Sequence, residues 1–156
     1  MYLGVTLDRT LSFRKHCMNT KGKVHARNNI LRKMISRKWG AQPSVLRTTA
    51  LALCLSAAEY AAPVWARSAH AKQVNVAVNE TARIVTGCLR PTPTSKLYPL
   101  IGIAPPEIRR DAATGEEKSK QESDPRHPLF DNTSHIQVII KKFDVPEIYQ
   151  AAGPPK

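Results

Sequence analysis

PSVLRTTALALCLSAAEYAAP, residues 43–63, carries only two charged side chains, Arg47 and Glu59. Wound at about 100° per residue, Val45, Leu46, Leu51, Leu53, Cys54 and Leu55 fall on nearly every side of a helix. A surface helix keeps one polar face for water, whereas a helix apolar all round must be enclosed by others. This stretch therefore predicts the central helix of a bundle over residues 43–62. Pro43 suits the first helical turn, where no backbone N–H is needed, and Pro63 predicts the stop. Residues 48–66, with Glu59 as their single charge, also approach the length and apolarity of a membrane span. Their alanine content, Ser56, Tyr60 and Pro63 favour a buried core helix instead.

On the N-terminal side, residues 12–39 predict a first long helix with Ser12 as its N-cap. Phe13, Cys17, Val24, Leu31 and Ile35 form one stripe along it. Lys15, Lys33 and Arg37 lie opposite that stripe, Arg14, Lys21 and Arg32 on one flank, and Lys23 and Arg27 on the other; Lys38 closes the run. Gly22 costs about 1 kcal/mol relative to alanine and marks a place where the helix could break. On the C-terminal side, Ser68 is placed to cap a third helix, residues 69–89, with Val74, Ala77, Val78, Ile84, Val85 and Cys88 on its apolar stripe. Pro91, Pro93 and Pro99 then break the chain, Leu97, Leu100 and Ile101 predict a lid on the bundle, and Pro105-Pro106 opens a short helix to Ala113.

The two ends read differently. YLGVTL at residues 2–7 reads as a short strand, and Asp8-Arg9-Thr10 as the turn after it, with no second strand nearby to pair with. TGEEKSKQESDPRHPLFDNTSH at 114–135 is polar and mixed in charge and reads as a mobile linker. IQVIIKKF at 136–143 reads as a strand or a helical turn, and AAGPPK at 151–156 as a tail. The expected architecture is mainly α: a small helical bundle of three long helices plus short helices, with a short N-terminal strand and a disordered C-terminal part. Residues 1–11 hold the residual strand, 12–113 the bundle, and 114–156 the flexible linker and tail.

Charge narrows the function. There are 24 Lys plus Arg against 12 Asp plus Glu, a net charge of +12. Residues 1–40 hold ten of the bases and a single acid, Asp8, while residues 91–156 hold nine of each sign. Arg14, Lys15, Lys21, Lys23, Arg27, Arg32, Lys33, Arg37 and Lys38 follow one another with no acid between them, so no carboxylate at i,i+4 neutralises them. Such a helix repels itself unless a polyanion lies alongside. The expected partner is an RNA–DNA or DNA duplex held by its backbone without sequence preference. An anionic membrane surface would attract the same charge, although no membrane segment is expected. Trp39 and Trp65 are candidates for stacking on bases or for capping a core.

Catalytic chemistry finds little footing. Nucleotidyl transfer needs carboxylates clustered around two metal ions about 3.5–4 Å apart. The aspartates are Asp8, Asp111, Asp124, Asp131 and Asp144, with no adjacent pair. His16, Cys17, His25, Cys54 and Cys88 lack the close C-x₂₋₄-C spacing of a structural zinc site. No Gly-rich phosphate loop is present, so neither a metal nor a cofactor is expected. Three scattered cysteines point to a reducing compartment. The short first apolar run, followed by Arg9, Arg14 and Lys15, is no signal peptide. A soluble intracellular protein is expected, nuclear or cytoplasmic.

Several long words add a resemblance. YLGVTLD at residues 2–8 is followed by LSFRKH at 11–16, LRTTALALCLSAAEYAAPVWA at 46–66, NETARIVTGCLRPTPT at 79–94 and LIGIAPPEIRR at 100–110. In this order they resemble the reverse transcriptases of non-LTR, LINE-type retrotransposons, jockey-like elements above all. Glu-Tyr-Ala-x-Pro-Val-Trp at 59–65 is the most specific stretch, and DPRHPLF at 124–130 is a weaker echo. The resemblance implies that YLGV ends the polymerase palm and that the helices after it are the thumb and an adjoining region holding the template–primer duplex. Fingers, palm and the Ala-Asp-Asp catalytic turn would lie upstream. The chain is thus expected to be a fragment of an RNA-directed DNA polymerase that binds nucleic acid without catalysis of its own. An orphaned strand at Tyr2–Leu7 would invite self-association. Two other classes stay open: a helical protein-interaction module, and a decayed transposon remnant without selected function.

Overall fold

The computed structural model describes residues 1–35, 40–126 and 130. The chain divides into two compact units, Met1–Thr114 and Gly115–Lys156. The described residues are mainly helical, and none of them lies in a strand.

Helix α1 spans Arg14–Met34. His16, Cys17, Thr20, Val24, Asn28 and Leu31 are buried along it, at spacings that keep one face inward. The predicted stripe thus holds in its middle and loosens at its ends, where Phe13 is half-buried and Ile35 exposed. Gly22 does not interrupt the helix. Ser12 is not the side-chain cap; Asp8 organises the entry. Its carboxylate accepts the Ser12 hydroxyl and, at 3.0 Å, the Phe13 N–H, while its carbonyl accepts the Leu11 N–H at 3.0 Å. Arg37, Lys38 and Trp39 lie outside the described residues.

The predicted central helix is divided. Helix α2, Pro43–Thr49, passes into a wider π-helical turn, Ala50–Leu55, and then into α3, Ser56–Glu59. Two carbonyls in this turn are taken by side chains. The Ser56 hydroxyl donates to Ala52, and Arg27 of α1 donates to the Leu53 carbonyl. Side chains inserted into the backbone ladder are a known cause of such bulges. Tyr60 then leaves the helix, Ala61 turns left-handed at φ 52°, and α4, Ala62–Trp65, begins with Pro63 in its first turn. Pro63 therefore opens a helix instead of stopping one. The break delivers Trp65, which is fully buried and donates its indole N–H to the Tyr60 carbonyl at 2.9 Å, filling an acceptor the helix end leaves free. A buried tryptophan is worth roughly 3–5 kcal/mol against alanine, more than the about 1–2 kcal/mol a left-handed alanine costs.

Helix α5, Ala71–Thr86, ends at Gly87, whose φ of 69° suits a residue without Cβ. Ser68 lies three positions before its first residue, with His70 as the N-cap, and accepts the His70 N–H at 3.1 Å on its hydroxyl. Paired residues advance together along α1 and α5. Lys21 bonds Gln73 at 3.1 Å, Asn28 bonds the Ala77 carbonyl at 3.1 Å, and Arg32 bonds Glu80, so the two helices run in the same direction. Asn28 is fully buried, and its Oδ1 accepts the Thr81 hydroxyl at 2.7 Å and the Cys54 thiol at 3.5 Å. One side chain thereby ties α1, the π turn and α5. Helix α6, Thr94–Ile101, keeps Pro99 within it and supplies Leu97 and Ile101 to the core as the expected lid, while Leu100 faces solvent.

The ends depart most from expectation. Tyr2 and Val5 bond each other, N–H to carbonyl both ways at 2.9 and 2.8 Å, across Leu3 and Gly4 at φ 43° and 80°. This is a tight turn; the strand predicted over Tyr2–Leu7 is absent, because a glycine in the left-handed region folds the segment back. A Cβ at Gly4 would lie 3.0 Å from the Tyr60 ring, so only glycine fits. Residues 1–11 belong to the first compact unit and form no separate segment. Helix α7, Pro106–Ser123, continues well past Ala113 into the stretch predicted as a linker. Its early turns are held by Glu59, which takes Arg109 in two bonds of 2.5 and 2.8 Å. Its late turns carry Glu117–Lys120 and Lys118–Glu122 pairs at 3.7 and 3.8 Å. IQVIIKKF and the tail lie outside the described residues.

Candidate nucleic-acid interface

The cations of α1 separate by flank. On the α5 side, Lys21 donates to Gln73 at 3.1 Å and Arg32 bonds Glu80 and, at 2.6 Å, Asn29. On the opposite flank Arg27 is spent on the Leu53 carbonyl. These three hold α1 to its neighbours. Arg14, Lys15, Lys23 and Lys33 are exposed and make no side-chain hydrogen bond or ion pair with the described residues. Four of the five carboxylates of the first unit have other partners, and the fifth, Asp111, acts on its neighbour Arg110. Asp8 caps α1, Glu59 holds Arg109, Glu80 holds Arg32 and, at 3.1 Å, His25, and Glu107 accepts from Asn75 at 3.1 Å. Lys15 and Lys33 sit on the side of α1 away from its buried face. At 1.5 Å rise per residue they are about 27 Å apart, the length of roughly eight base pairs.

Behind this surface lies a buried histidine. His16 is 4% exposed, its Nδ1 accepts the Thr6 N–H at 3.2 Å, and its ring leans on Trp65 with centroids 5.8 Å apart. Burial, with the Lys23 charge adding to it, holds its pKa below the usual histidine value. Burial likewise pushes the Cys17 and Cys54 thiols up, which suits core packing and not thiolate chemistry. Among the described residues no three His, Cys, Asp or Glu side chains are grouped to hold a metal ion. Trp65 is not available to stack on bases: it is enclosed, with the Arg110 guanidinium 5.6 Å from its ring centroid.

Sequence reasoning missed Asn28, Arg110 and the Glu59–Arg109 pair. The signals were present for two of them. Asn28 falls on the apolar stripe of α1, where a polar residue must find partners, and Glu59 is the sole charge in residues 48–66, so it must find a cation. Nothing in the sequence points from Arg110 to Trp65.

No protein-family model matches the chain, and neither a curated protein nor a solved structure gives a significant match. Among the described residues no helix is long and apolar enough to cross a membrane.

Proposed function

We propose that this chain is a thumb-like, non-catalytic region of a non-LTR retrotransposon RNA-directed DNA polymerase, and that it grips the backbone of a template–primer duplex through the outward side of α1. Support comes from the words shared with that family between residues 2 and 110, and from one observation above the rest. Arg14, Lys15, Lys23 and Lys33 stand exposed and unpaired among the described residues, while Asp8, Glu59 and Glu80 are committed elsewhere. Lys15 and Lys33 on the outward side, with Arg14 and Lys23 on its two flanks, are suited to phosphates spaced along a duplex, and such contacts carry no sequence code.

Binding of a mixed-sequence RNA–DNA hybrid, measured against salt, tests this. The logarithm of affinity should fall linearly with that of salt, with a slope of about −0.9 for each phosphate neutralised on B-form DNA. Replacing Lys15 and Lys33 together by alanine should flatten the slope by about two units and weaken all sequences alike. Absent or salt-independent binding would overturn the reading. The exposed apolar side chains Leu3, Leu11 and Val64 would then favour the protein-interaction alternative.

A further inference from the structure

Between α1 and helix α3 with Tyr60 at its end lies a pocket of about 190 Å³. Its polar lining is His16, Thr20, Lys23, Arg27, Ser56 and Tyr60, and no carboxylate among the described residues borders it. We propose that this pocket is a binding site for a single phosphate group. The inference deepens the duplex-binding reading and rests on it only for the source of that phosphate.

Three features choose an oxyanion. The first is charge. Lys23 has no partner among the described residues, and Arg27 spends only Nη1 on the Leu53 carbonyl, so two cations border a space with no acid to balance them. A metal ion would meet two cations and no carboxylate in that lining, whereas an anion has two counter-charges.

The second feature is a buried donor without a good acceptor. Because His16 Nδ1 accepts the Thr6 N–H, the neutral ring carries its proton on Nε2. The contact available to that nitrogen is the Thr20 hydroxyl at 3.5 Å, too long to be a strong bond. Both residues are 4% exposed, so an N–H and a hydroxyl are held out of bulk water with their capacity barely used. An oxygen placed between them would satisfy both.

The third feature is rigidity. The Ser56 hydroxyl is bound to the Ala52 carbonyl and the Tyr60 hydroxyl to the Leu3 carbonyl at 2.8 Å, so these two wall the site without competing for the ligand. At about 30 Å³ for each water in the liquid, the pocket has the volume of roughly six waters, room for a tetrahedral oxyanion and its hydration. Arg27 offers a planar fork and Lys23 a mobile point charge, a pairing suited to phosphate oxygens.

The phosphate could come from a nucleic-acid backbone or be free in solution, and the experiment has an arm for each. The full chain, labelled with ¹⁵N, is titrated by NMR with inorganic phosphate, with chloride at matched ionic strength, and with the RNA–DNA hybrid. Phosphate should shift the His16 ring nitrogens and the Thr20 amide to saturation, and chloride should not. Lys23→Gln touches an exposed side chain and should leave the fold intact. It should weaken phosphate binding about tenfold, the loss of one charge-assisted contact, whereas Lys33→Gln on another side of α1 should change it less than twofold. A backbone source is assigned if the hybrid moves the same signals and competes with phosphate; saturation by phosphate alone assigns free phosphate. Shifts that follow ionic strength only, or equal effects of the Lys23 and Lys33 variants, would overturn the pocket. Hybrid binding that leaves His16 unmoved, without phosphate saturation, removes the pocket and keeps the duplex reading. Saturation by phosphate in a chain that binds no hybrid keeps the pocket and removes that reading.

Discussion

His16 is packed against Trp65, bonded to the Thr6 amide and held neutral by burial, so its titration is coupled to folding. In the unfolded chain a histidine protonates near pH 6.5, and in the fold it does so at lower pH. Between those two values the unfolded state binds more protons, so stability falls as pH drops through 6.5 and levels once the folded-state value is passed. Asp8 acts in a separate window. Its lowered pKa, set chiefly by the Ser12 hydroxyl, gives stability that is present above pH 3.8 and lost below it. The thermal midpoint of the wild type should therefore drop more between pH 7.5 and pH 5.5 than that of His16→Gln, with the extra drop vanishing above pH 7. Equal drops would show that His16 does not couple protons to folding. A second residue-scale expectation concerns Ala61, left-handed at φ 52° so that Trp65 can return to the core. Ala61→Gly removes a Cβ clash at that φ and should raise stability by about 1 kcal/mol. A lower melting temperature in that variant would mean the turn is unstrained.

At the scale of elements, the parallel pair α1 and α5 is pinned in its interior more than at its rim. Asn28→Ala would take from buried groups three bonds at once: one of those to the Ala77 carbonyl, which keeps the Thr81 hydroxyl at 3.1 Å, the shorter of the two bonds Thr81 donates, and the acceptor of the Cys54 thiol. The expected cost is about 2–3 kcal/mol in urea unfolding. Arg32→Gln breaks a partly exposed pair with Glu80 and should cost under about 1 kcal/mol. If the arginine change costs more, the rim carries the pairing. These two helices were also the most legible in the sequence, because long amphipathic periodicity is written into consecutive residues. The middle segment was not, since its division depends on Arg27 reaching the Leu53 carbonyl from 26 positions away and on Trp65 needing a buried site. The apolar words of Tyr2–Leu7 suggested a strand until Gly4 and Leu3 took positive φ. The late turns of α7 looked like linker because polar composition without an apolar stripe hides a helix that local ion pairs support. Of the candidate surface, the run of cations was readable from sequence; which of them are consumed by Gln73, Leu53 and Glu80 was a matter of packing.

Over the whole molecule, a net charge of +12 raises the question of whether a duplex would feel a particular surface or only the total. The control must remove equal charge elsewhere without harming the fold. Arg109 and Arg110 are unsuitable, because one holds Glu59 and the other lies over Trp65. Lys72 and Lys96 are exposed and unpaired among the described residues, on α5 and α6. Lys15→Gln with Lys33→Gln and Lys72→Gln with Lys96→Gln each lower the charge by two. Net charge alone predicts equal loss of hybrid affinity. Contact through α1 predicts that the first pair flattens the salt slope by about two units and the second by well under one. Stability should move the other way. The α1 cations have no acid at i,i+4, so neutralising Lys15 and Lys33 relieves repulsion and should raise the melting temperature in low salt. That gain should fade at 1 M salt, where the Debye length is about 3 Å. A pair of substitutions that stabilises the chain while weakening its grip on a duplex is the signature of charge retained for a partner. If the α1 pair leaves both affinity and stability unchanged, those lysines are only a solvated face, and the nucleic-acid reading of this helix is wrong.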